Sequence, residues 1–103
     1  MTVEYIRYTV ESDARGGELV EAYTDAAKSL DVSPACLGYE LARCEEDPLS
    51  YIFRIEWQST EAHLEGFRKS KEFQAFFAAI GGFLKQITEM RHYVLTSVVR
   101  EKP

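Results

Sequence analysis

The stretch "RIEWQSTEAHLEGFRKSKEFQAFF" (Arg54–Phe77) changes its period partway along. As far as Trp57, apolar and polar residues alternate as in a half-buried strand; beyond Ser59 the apolar positions fall at helical spacing. Trp57, the one tryptophan in the chain, stands at the change. Strand ends often carry binding groups, and a buried indole N–H needs a hydrogen-bond partner. Trp57 is therefore open to two readings, core packing or the wall of a pocket.

Working outward, "LSYIFRIEW" (49–57) and "ACLGYELARC" (35–44) read as two strands of a hairpin joined by the turn-like "EEDP". "VEYIRYTV" (3–10) is a first strand, rich in β-branched and aromatic residues. Ser12 and Asp13 offer cap chemistry, but Gly16 and Gly17 weaken a helix starting there, so the first helix is expected from Glu18, with Leu19, Tyr23, Ala26, Ala27 and Leu30 on one face. A second helix starts at Ser59 or Thr60 and restarts at Ser70; Phe73, Phe76, Phe77, Ile80 and Leu84 form its apolar face. "EMRHYVLTSVV" (89–99) is the last strand.

The order β-α-β-β-α-β predicts an α+β, ferredoxin-like fold, a four-stranded antiparallel sheet with both helices on one face. "YIRYTVES" and "YIFRIEWQS" repeat the same strand-to-helix step in the two halves. Tyr51, Phe53, Ile55 and Trp57 face the helices, as do Ile6, Tyr8 and Val10. The other face presents Val3, Tyr5, Arg7 and Thr9 beside Ile52, Arg54 and Glu56. Apolar residues exposed in such rows usually mark an interface, which predicts a homodimer packed sheet to sheet. Arg54 and Glu56 are placed to pair within or across that contact.

A chain of 103 residues predicts one domain, 1–103. The net charge of -5 gives no footprint for a nucleic-acid backbone or an anionic membrane. With no apolar run near 20 residues and no leader-like start, a cytoplasmic location is expected. Cys36 and Cys44, in one predicted strand, are about 26 Å apart at about 3.3 Å per residue and cannot bridge.

No phosphate-binding loop, paired C-x-x-C or H-E-x-x-H is present. Two histidines, His63 and His92, are too few for a His-rich centre, so no metal is expected. His63 reads as a surface residue or a pocket acid or base, and His92 as a neutral imidazole bonded within the sheet. Six Phe, six Tyr and the Trp are the unusual part of the composition. Tyr8, Tyr39 and Tyr51 are core or interface residues that could turn a hydroxyl into a cavity.

Over "FRIEWQSTEAHLEGFRKSKEFQAFF" (53–77) the chain resembles the antibiotic biosynthesis monooxygenase domain, a family of small dimeric α+β barrels. The likeness rests on an aromatic third strand ending in Trp57, a following Ser, the acidic helix start "EAHLE" and the S-x-x-F restart from Ser70 to Phe73. The resemblance implies oxidation of a small electron-rich aromatic, a quinol or polyphenol, by O₂ with no cofactor and with electrons drawn from the substrate. It gives Trp57 and His63 as catalytic candidates and Tyr8, Tyr51, Phe53, Phe67 and Phe77 as substrate-binding candidates. Some members have an amide side chain where this chain has Phe53, and His63 is the substitute proton carrier. A haem-degrading branch uses an Asn, a Trp and a His; strand one has no Asn, and Phe67 and Phe77 occupy the other two positions, so that activity is not expected. The alternative is a non-catalytic dimeric module binding a small hydrophobic or haem-related ligand.

Overall fold

The computed structural model describes residues 1–103. Strand β1 (Thr2–Thr9) is followed by helix α1 (Asp13–Asp31), strands β2 (Cys36–Arg43) and β3 (Ser50–Trp57), helix α2 (Lys71–Ile80) and strand β4 (Ile87–Val94). The sheet is antiparallel in the order β2-β3-β1-β4, as the predicted topology requires. One face carries the core, in which Ile6, Tyr8, Phe53, Ile55 and Trp57 pack against Leu19, Tyr23 and Leu30 of α1 and Phe76 and Ile80 of α2. No helix is long and apolar enough to cross a membrane.

Three expectations are corrected. Helix α1 begins at Asp13, not Glu18, because Ser12 caps it, its hydroxyl accepting from the Arg15 N–H at 3.2 Å. The missing side chain at Gly16 is used for packing: a Cβ there would lie 3.0 Å from ring carbons of Tyr51. Strand β4 ends at Val94, opposite Thr2, because β1 has no residues left to pair with it. On α2 only Phe76 and Ile80 are buried; Phe77 and Leu84 are 46% and 40% exposed, at the edge of a cavity between the helix and β4.

The restart at Ser70 is present, its hydroxyl accepting from the Phe73 N–H at 3.2 Å. Between Ser59 and Ser70 the chain is not a regular α-helix. Ser59 caps the Ala62 N–H at 2.9 Å, a π turn runs Ala62–Gly66, and a 3₁₀ turn follows over Phe67–Lys69.

Candidate functional site

Period 2 in β1 places Thr2, Glu4, Ile6 and Tyr8 on the helix face, and all four are buried. Glu4 is therefore a carboxylate within the core. Trp57, at the end of β3, is fully buried and donates its indole N–H to Glu4 Oε1 at 3.1 Å. The two readings of Trp57 thus merge, since it is core and pocket wall at once.

The π turn widens the backbone spiral, and the Phe67 N–H reaches both the Ala62 and His63 carbonyls. His63 and Phe67 both turn inward from it. His63 is buried, not on the surface; its ring stacks on Trp57 at 4.4 Å and 8° between planes. Its Nδ1 lies 2.7 Å from His92 Nε2 and its Nε2 lies 3.6 Å from Glu4 Oε1. His92 comes from β4, where register sets it directly opposite Glu4, and its Nε2 is 3.8 Å from Glu4 Oε2. Four residues from three strands and a turn thus meet at one point.

Burial, then the nearby His92 and Arg68, lowers the His63 pKa to about 4. The imidazole is neutral at physiological pH. Its 3.6 Å approach to Glu4 is accordingly a dipolar contact and not an ion pair. Burial raises the Glu4 carboxyl, opposed by the Trp57 hydrogen bond. Tyr8 is pushed up to about 12 by burial, and its hydroxyl shares a hydrogen bond of 2.5 Å with Tyr23.

This polar cluster forms one end of a cavity of about 170 Å³. The remaining wall is apolar and includes Ile6, Ile55, Phe67, Phe76, Ile80 and Met90, with Arg68 at its polar end. Of the sequence candidates, Trp57, His63, Tyr8, Phe67 and Phe77 line this cavity. Tyr51 and Phe53 do not; they line a wider, more open depression between α1, β2 and β3. Their side chains point to the same face of β3 as Trp57 but lie further along the strand, away from the cluster.

Sequence reasoning missed Glu4 altogether and gave His92 only a structural role. Glu4 had a readable signal, an acidic residue in the alternating row that also holds Ile6, Tyr8 and Val10. For His92 the signal was register with β1, which local sequence does not set. Glu4, His63 and His92 are also the residues able to hold a metal ion, their donor atoms lying within 4.8 Å of one another.

Fold and site together define a ferredoxin-like α+β protein with an aromatic-walled cavity closed by a buried carboxylate and a neutral imidazole. The chain belongs to the antibiotic biosynthesis monooxygenase family, which residues 1–79 match. Among relatives, YczJ of Bacillus subtilis, an uncharacterized protein, is 29% identical over 76 residues, covering 74% of this chain and 80% of its own. Among solved structures, SnoaB from Streptomyces nogalater, a cofactor-independent oxygenase solved as a point mutant, superposes with a TM-score of 0.77 at 17% identity, over 97% of each chain. A conserved protein from Methanosarcina mazei gives 0.73 at 17% identity, over 89% of each. The structural likenesses support the fold.

Proposed function

We propose that the chain is a monooxygenase that oxidises a small electron-rich aromatic, a quinol or polyphenol, with O₂ and no cofactor. The observation that carries this reading is the apolar cavity whose polar end presents a buried, neutral His63. Its size suits one ring: an apolar cavity of about 150 Å³ in another protein is known to take up benzene.

A phenolic hydroxyl at that end hydrogen-bonds to an imidazole nitrogen of His63, which with a pKa of about 4 is too weak a base to ionise the phenol by itself; the proton leaves as the ring gives up electrons to O₂, through His92 across the 2.7 Å contact and on to solvent. Removing the proton raises the electron density of the ring, which O₂ needs in order to accept electrons from it. For a quinol the balance closes without an outside reductant: quinol plus O₂ gives hydroxyquinone plus water. One oxygen atom enters the ring and the other leaves as water, and all four electrons come from the substrate. Trp57 fixes the position of the imidazole by stacking and ties down Glu4, while Arg68 offers positive charge to the phenolate.

Oxygen-electrode turnover of single-ring quinols by chelator-treated protein tests the reading. Uptake that falls at least tenfold in both His63→Gln and Trp57→Phe, with the fold intact, supports it. Uptake unchanged in both variants overturns the site. No uptake, with saturable quenching of Trp57 fluorescence by the same quinols, overturns the activity and favours a binding module. We also propose that the chain forms a homodimer through the outer face of the sheet.

A further inference from the structure

We propose that Glu4, His63 and His92 form a binding site for one divalent transition-metal ion of the zinc class, with an open coordination position facing the apolar cavity. Two imidazoles and a carboxylate are a donor set these ions take, and a three-residue set leaves a fourth position free.

The spacing is close to what such an ion requires. Metal bonds of about 2.0–2.2 Å in tetrahedral geometry put donors roughly 3.4 Å apart. His63 Nδ1 and His92 Nε2 stand 2.7 Å apart, His92 Nε2 and Glu4 Oε2 3.8 Å apart, and the donor atoms of the three residues all fall within 4.8 Å of one another. The ion takes the place of the proton shared by the two rings, and the side chains shift to bring the three donors to tetrahedral spacing.

The electrostatics favour it as well. Glu4 is 2% exposed, and no lysine or arginine lies within ion-pair distance of it; its neighbours are the indole N–H and the two imidazoles. A buried carboxylate without a cation is costly, and a divalent ion supplies the missing charge. Trp57 then acts outside the ligand shell, holding Oε1 and leaving Oε2 toward His92, as the partners of metal-bound groups commonly do. The free position meets the cavity lined by Phe67, Phe77 and Ile80, so a water or a small ligand can reach the ion.

The site shares His63 and His92 with the proposed oxygenase chemistry and competes with it, because an ion bound at His63 removes the lone pair that accepts a proton. The two are measured separately. Calorimetric titration of the chelator-treated chain with Zn²⁺ is expected to show one ion per chain, and Co²⁺ is expected to give visible absorption bands that Zn²⁺ displaces. His92→Ala and Glu4→Gln should each weaken binding at least tenfold, and Trp57→Phe by about tenfold or more through loss of the outer hydrogen bond. His92 is partly exposed, so that variant tests the site even if Glu4→Gln does not fold. Absence of saturable Zn²⁺ binding, or binding unchanged in His92→Ala, overturns the proposal.

Discussion

His63 carries the sharpest consequence of burial for a single side chain. Its pKa is about 4 in the fold against an ordinary 6.5, so the unfolded chain takes up a proton between these values that the folded chain refuses. Stability from this group is fully present above pH 6.5 and is lost as pH falls toward 4. The loss is on the order of 3 kcal/mol for such a shift. Glu4 acts in the opposite direction, since its raised carboxyl favours the protonated folded form as the pH falls. Because Glu4 touches His63, its contribution does not cancel between parent and His63→Gln; the difference that isolates His63 is that between Glu4→Gln and the double variant Glu4→Gln with His63→Gln. In urea titrations that difference should be flat above pH 6.5 and move in favour of the double variant as pH drops to 4; a flat difference throughout would mean His63 is not held neutral. Trp57→Phe is the better probe of the neighbouring ring, because Trp57→Ala would open a cavity at a cost of about 3–5 kcal/mol and confound site with fold.

Helix α1 shows how packing overrides propensity. Gly16 and Gly17 are adjacent in one helix, and glycine costs about 0.5–1 kcal/mol there relative to alanine. Only Gly16 faces the sheet, where Tyr51 fills the space a Cβ would take; Gly17 meets nothing within 4 Å. Gly17→Ala should therefore stabilise by about 0.5–1 kcal/mol. Gly16→Ala should destabilise by about 1–3 kcal/mol through overpacking against Tyr51. Denaturant midpoints check both, and equal effects would remove Tyr51 from the account. The broken segment between Ser59 and Ser70 is the other element whose irregularity matters. His63 and Phe67, four residues apart, both face the core from this segment, and the fresh cap at Ser70 lets the chain resume as α2.

In the molecule as a whole, the outer sheet face mixes ion pairs with apolar residues. Arg54 bonds Glu56 at 2.7 Å and meets Glu40 at 3.3 Å, while Arg7 meets Glu89 at 3.4 Å. Between them lie Val3, Tyr5 and Tyr93, the two tyrosine rings in edge contact at 5.5 Å. The proposed dimer covers this face, and sedimentation equilibrium should give twice the chain mass, falling to the monomer in Tyr5→Asp with Tyr93→Asp. A monomeric parent would sink the proposal. The strands, caps and β-α-β-β-α-β order were legible because alternation, helical spacing and Ser caps are local features of the chain. So was the demand of Trp57 for a polar partner, since a buried indole N–H needs an acceptor. Its partner was not legible. Glu4, His63 and His92 are far apart along the chain, and only the register of β1 against β4 and the inward aim of the π turn bring their donor atoms together. Local sequence sets which residues face inward; which of them meet is set by strand register and long-range packing, and that is what assembles the buried cluster.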